Sequence, residues 1–152
     1  MNCCKWHIIN WVLKLDIMNR FIQKSRKKEI TELIRYQKYA ITYYEKGEYD
    51  KSLNYYKNAL SISEKVLGTE HLDTATLYNN IAGAYYALGN HAQALEYYKK
   101  ALSIREEALG PEHPGTATLY NNIAGVYFAK ADYVQALKYY EKALSIGRHC
   151  PH

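Results

Sequence analysis

The sequence predicts an all-α fold, a solenoid of three helix-turn-helix repeats preceded by an amphipathic helix. Three observations carry that prediction. The decapeptide TATLYNNIAG occurs twice, at 74–83 and at 116–125. Landmark residues recur 42 positions apart: Leu77 as Leu119, Gly68 as Gly110 and Ala101 as Ala143. Going backwards, Gly89 maps to Gly47, Tyr98 to Tyr56 and Ala101 to Ala59. Within a copy, Tyr78, Ile81, Ala82 and Tyr85 fall at i, i+3, i+4 and i+7, the period of a helix stripe.

The elements follow in order. Residues 1–28 form an amphipathic basic segment with Trp6, Ile9, Leu13 and Ile17 on one face, expected to cover the open end of the first repeat. Docking on a membrane surface is the rival reading of that segment. Residues 29–68, 69–110 and 111–147 are the three repeats, and 148–152 a short tail. In the second repeat the first helix stops at Gly89, a residue suited to a left-handed cap. The next helix carries Ala94, Leu95, Tyr98, Ala101 and Leu102 on one face, and its small alanines permit close backbone approach. The run Gly110-Pro111-Glu112-His113-Pro114 breaks the chain, and Thr116 is placed to help start the following helix. Two positions depart from the pattern: Ser52 replaces a packing alanine, and Ala131 replaces the inter-helix glycine.

Composition narrows the function. The formal charge of +5 resides in residues 1–30, which hold seven basic side chains against two acidic ones. The remaining 13 of each sign cancel, so no nucleic-acid surface is expected across the repeats. The KSRKK run at 24–28 reads as a solvated basic helix end, with a nuclear address or an acidic-lipid contact as alternatives. Cys3, Cys4 and Cys150 lie only near the termini, and there is no Asn-x-Ser/Thr acceptor. Both facts suit a reducing cytoplasm. The WHIINWVL run is too short to span a bilayer.

The spacing of Tyr78, Ile81, Ala82, Tyr85, Gly89, Ala94, Tyr98 and Ala101 resembles the tetratricopeptide repeat (TPR) pattern. Copy one repeats it with Tyr36, Tyr39, Ala40, Tyr43, Gly47, Tyr49, Tyr56 and Ala59. Copy three does so with Tyr120, Ile123, Ala124, Tyr127, Tyr133, Ala136, Tyr140 and Ala143. The 42-residue period and the Leu-Gly-x-Glu-His linker resemble the kinesin-light-chain type of TPR over residues 30–146. That resemblance implies a right-handed α-solenoid and a non-enzymatic scaffold that binds an extended peptide in its concave groove. The charged clamp that other TPR proteins use for acidic chaperone tails is mostly missing. Gln37 and Ile41 occupy two of its places, and Thr118 and Asn122 two more.

No constellation for catalysis is visible. Cys3, Cys4 and His7, even with His149, Cys150 or His152, make a poor tetrahedral set, so no metal or cofactor is expected. His71 and His113 recur with the repeat and read as architectural. The inner stripe of the first helices is more informative. It comprises Thr76, Asn79, Asn80, Gly83, Tyr86 and Ala87 in copy two, and Thr118, Asn121, Asn122, Gly125, Phe128 and Ala129 in copy three. In copy one Ile34, Gln37, Lys38, Ile41, Tyr44 and Glu45 take those places. Asparagine is a mediocre helix former, so adjacent pairs of it in two repeats ask for a reason. An amide both donates and accepts, and can match the backbone of an extended peptide. The expected groove is Lys38, Tyr44, Asn79, Asn80, Gly83, Tyr86, Asn121, Asn122, Gly125 and Phe128, with Asn80 laddered beside Asn122. The alternative is that the amides only brace neighbouring helices. A rival function is a structural piece of a larger array that stacks on further repeats or self-associates through its C-terminal repeat.

Overall fold

The computed structural model describes residues 3–148, and the side chains of residues 13–147. Six helices fill that span: α1 (Cys3–Glu45), α2 (Tyr49–Val66), α3 (Leu72–Ala87), α4 (His91–Leu109), α5 (Pro114–Ala129) and α6 (Tyr133–Arg148). The described residues contain no strand. Each helix packs on its neighbours in the chain, α1 on α2, α2 on α3, and so on to α6, which is the contact pattern of a solenoid. The side chains of Cys3, Cys4, Trp6, His7 and Ile9, and the tail from residue 149, lie outside the described residues.

One expectation is corrected at the N-terminus. The basic segment is helical, but it is not a separate cap. It is the first half of α1, which runs 43 residues without a break. The reason is chemical: no glycine or proline occurs before Gly47, so nothing stops the helix. Leu13, Ile17, Phe21 and Ile22 of this half are more than half exposed. Arg26, bonded to the Val66 carbonyl at 3.3 Å, and Glu29, paired with Lys65 at 2.5 Å, mark where α2 ends alongside it.

The turn inside each repeat is closed by one device used three times. The amides of Glu48, Asn90 and Asp132 reach back to the carbonyls of Tyr43, Tyr85 and Tyr127, each at 2.9 Å. The residue before each takes a left-handed backbone: Gly47 at φ 77°, Gly89 at 75° and Ala131 at 59°. Ala131 therefore keeps the glycine conformation without being glycine.

Between repeats the capping residue is histidine rather than the threonine expected. His71 and His113 hold extended backbones, and their Nδ1 atoms accept from the amides of Asp73 at 3.1 Å and Gly115 at 3.0 Å. Thr74 and Thr116 are fully buried instead, and donate to the carbonyls of Gly68 and Gly110 at 2.8 and 2.9 Å. They tie each new helix to the linker that precedes it.

The core sits between the helix pairs. Ala40, Ala59, Ala75, Ala82, Ala94 and Ala101 are fully buried, where small side chains let backbones approach. Tyrosine fills the flanks: Tyr55, Tyr97 and Tyr139 stack on Tyr43, Tyr85 and Tyr127 at 5.4, 5.6 and 5.6 Å. Ser52 is as buried as the alanine it replaces, because its hydroxyl donates to the Ala40 carbonyl at 2.8 Å.

Candidate functional site

The first helices of the repeats, α1, α3 and α5, line the inner face, and the second helices contribute its floor. A cleft of about 460 Å³ opens there, lined by Ile41 and Tyr44 of α1, Tyr56 of α2, Asn79, Asn80 and Gly83 of α3, Tyr98 of α4 and Asn122 of α5. None of these side chains is charged.

The asparagines form a chain, in a register different from the expected one. Asn122 Nδ2 donates to Asn79 Oδ1 at 2.9 Å, and Asn79 Nδ2 donates to Asn80 Oδ1 at 3.2 Å. The partner of Asn122 across the helices is thus Asn79, not Asn80. The twist between successive repeats offsets equivalent positions, so the second asparagine of one pair meets the first of the other. The chain braces α5 to α3, as the alternative reading held, yet it leaves its ends open. Among the described residues neither Asn80 Nδ2 nor Asn122 Oδ1 has a protein partner. Reversing all three amides would exchange donor for acceptor and keep one open end of each kind.

Three phenols complete the cleft. Burial pushes Tyr56 up to about 12, helped by Tyr44 and Glu45, and pushes Tyr98 up to about 12, helped by Tyr44 and Tyr86. Tyr44 is also raised, by burial and then by Tyr49. All three are neutral hydroxyls across the physiological range and can both donate and accept. Gly83 faces two of them. A methyl group built there would stand 3.6 Å from Tyr98 Oη and 3.7 Å from Tyr44 Oη, so the missing side chain is what keeps this part of the cleft open.

The cleft thus unites five of the ten expected residues: Tyr44, Asn79, Asn80, Gly83 and Asn122. The other five lie off it. Lys38 and Asn121 are exposed to solvent, and nothing stands within 4 Å of a side chain built at Gly125. Tyr86 packs against His91 at 5.7 Å and Phe128 against Tyr133 at 5.4 Å, just as Tyr44 meets Tyr49 at 5.2 Å. Sequence reasoning missed Tyr56 and Tyr98 by assigning the second helices wholly to packing. The available signal was a hydroxyl kept at positions 56, 98 and 140 of all three copies, where phenylalanine would pack as well. Among the described residues no three metal-ligating side chains come together, and no helix is long and apolar enough to cross a membrane.

Paired antiparallel helices repeating every 42 residues around an open inner face define a helical-repeat protein. The chain belongs to the tetratricopeptide repeat family, whose model matches residues 31–107 and again 73–148. No curated protein sequence matches it. Among solved structures it is similar to BtubC (BKLC) from P. vanneervenii, at 30% identity and a TM-score of 0.73 over 77% of this chain. The match spans 46% of BtubC, so this chain corresponds to about half of that protein. A putative kinesin light chain of Podosopora anserina with nearly identical TPR-like repeats matches at 22% identity and a TM-score of 0.70, over 79% of this chain and 57% of that one. The first TPR of Spaghetti (RPAP3), bound to the HSP90 peptide SRMEEVD, matches at 18% identity and 0.61, over 79% and 82%. The likeness to the kinesin-light-chain repeats agrees with the long repeat period read from the sequence.

Proposed function

We propose that the protein is a non-enzymatic interaction scaffold whose inner cleft binds an extended, uncharged stretch of a partner protein. The observation that carries this reading is the open-ended amide chain. Asn80 and Asn122 offer one unfilled donor and one unfilled acceptor in a half-buried cleft, the complement of a peptide C=O and N–H. The tyrosine hydroxyls supply further neutral partners, and Ile41 an apolar wall. A related fold holds an acidic peptide in the RPAP3 complex. The lining here has no charge to meet such a tail, so the ligand proposed is backbone-read and uncharged at its centre.

The test is selection of random heptapeptides on the full chain, followed by fluorescence anisotropy with the enriched peptides. Gly83→Leu fills the cleft from a helical position where a side chain is tolerated by the backbone. It should retain helicity and weaken binding by roughly tenfold or more. Peptides bound equally well by Gly83→Leu would exclude the cleft as the site.

A further inference from the structure

Arg105, on the last turns of α4, reaches forward between α3 and α5. Its Nη1 donates to the Gly115 carbonyl at 3.1 Å and its Nη2 to the Thr76 hydroxyl at 3.2 Å, while Nε is buried without a partner. Both acceptors are neutral. Among the described residues no carboxylate comes within 4 Å of the guanidinium. The acidic side chains of the neighbouring segments are engaged elsewhere or face solvent. Glu106 accepts from the Tyr120 hydroxyl, and Asp73 lies 3.6 Å from the His71 ring. Glu107 and Glu112 are exposed. A partly buried charge held only by neutral oxygens is short of a counter-ion.

The repeat shows which group is missing. Gly115 is the equivalent of Asp73, one period on, so the third repeat lacks the acidic side chain that the second carries in the first turn of its first helix. A Cβ built at Gly115 would stand 2.9 Å from Arg105 Nη1. The guanidinium therefore lies beside the place of an aspartate that glycine does not supply. The arginine itself occurs once in the array: Ser63 and Gly147 take its position in the first and third copies.

This charge borders the inner cleft. Thr76 lies one helical turn before Asn79 and Asn80 on the same stripe of α3, which is about 5 Å at 1.5 Å per residue. An extended peptide advances about 3.3 Å per residue, so a side chain one or two positions beyond the stretch that meets the amides comes within reach of the guanidinium. We propose that the peptide held in the cleft carries a carboxylate on one flank of its uncharged centre, and that Arg105 receives it where the aspartate is missing. The inference rests on the peptide reading above and gives the ligand a direction. The acid lies on the side of the cleft nearer the N-terminal ends of α3 and α5.

The probes are random heptapeptides selected on the full chain, synthesised in amidated and free-acid forms. The selected sequences should be enriched in Asp or Glu at one fixed place beside an uncharged run. Exchanging that residue for Asn or Gln should weaken the amidated peptide about tenfold on the native chain and leave its affinity for Arg105→Gln unchanged. Where the chain end supplies the carboxylate instead, amidation rather than the side-chain exchange produces that loss. Gly115→Asp provides the acid from within, at a helical position whose equivalent already holds Asp73. It should raise the melting temperature and abolish the preference for acidic peptides, which keeps the test decisive if Arg105→Gln folds poorly. Peptides that lose binding to Gly83→Leu yet show no preference for a carboxylate, or a preference that neither substitution alters, overturn this inference and leave the cleft reading standing. Peptides indifferent to Gly83→Leu overturn both.

Discussion

The Tyr78 hydroxyl donates to the Glu64 carboxylate at 2.6 Å, fastening α3 to the last turn of α2. One repeat later Tyr120 makes the same bond to Glu106, fastening α5 to α4. Both phenols are otherwise packed in the core, so each bond joins an apolar contact to a charge-assisted one. Tyr78→Phe and Tyr120→Phe should each cost about 1–2 kcal/mol in urea denaturation, and the pair should be nearly additive because the sites lie a repeat apart. A loss below the error of the measurement in both variants would show that these bonds carry no net stability.

Ala131 sits at φ 59° in a turn where the first two repeats use glycine. A side chain in that region costs about 1 kcal/mol relative to glycine. Ala131→Gly should therefore stabilise the protein by about that amount, and Gly89→Ala should destabilise it by a similar one. Equilibrium denaturation of the two variants checks both signs.

The asparagine chain separates bracing from binding. Asn80→Ala with Asn122→Ala removes both bonds of the chain, at 2.9 and 3.2 Å, at a cost of about 0.5–1 kcal/mol each, while the two alanines return roughly 0.5 kcal/mol each in helix propensity. Thermal stability should stay nearly unchanged. Affinity for cleft-selected peptides should fall about 10- to 100-fold, since both open hydrogen-bonding ends are gone. A double variant that melts many degrees lower would show that the chain only braces.

Alkaline pH should unfold the protein in a definite window. Tyr56 and Tyr98 are pushed up to about 12 from the ordinary 10, so below pH 10 the folded and unfolded chains hold the same protons on them. Between 10 and 12 the unfolded chain releases protons that the folded one retains, and stability falls as pH rises through that range. Melting temperatures should be flat up to about pH 9 and drop by about pH 11, with a shallower drop in Tyr56→Phe/Tyr98→Phe. Tyrosinate absorbance that rises in full before helicity is lost would contradict this order.

The repeats were readable because they are written in a periodic code. The apolar stripe of Tyr78, Ile81, Ala82 and Tyr85, and the glycines at 47 and 89, report local backbone geometry, which spacing specifies directly. The cleft was only half readable because it depends on how one repeat is rotated against the next. That rotation moved the bond of Asn122 from Asn80 to Asn79, and it brought Tyr56 and Tyr98 of the second helices to the inner surface. Histidine capping escaped notice for a different reason: His71 and His113 act through an imidazole nitrogen that accepts from an amide two residues on, a role usually sought in serine or threonine. The length of α1 was written in the sequence as the lack of any breaker before Gly47, but the amphipathic stripe drew the reading toward a separate cap.

That long helix has a mechanical consequence. At 1.5 Å per residue α1 is about 65 Å long, and α2 lies beside only its second half, so roughly 25 Å of it stands clear of the repeats before Phe21. It is a cantilever, clamped where Arg26 meets Val66 and Glu29 meets Lys65. Its clamped end continues without a hinge to Ile41 and Tyr44, two residues of the cleft wall. A load applied at the far end is thus delivered as torque to the lining of the cleft itself.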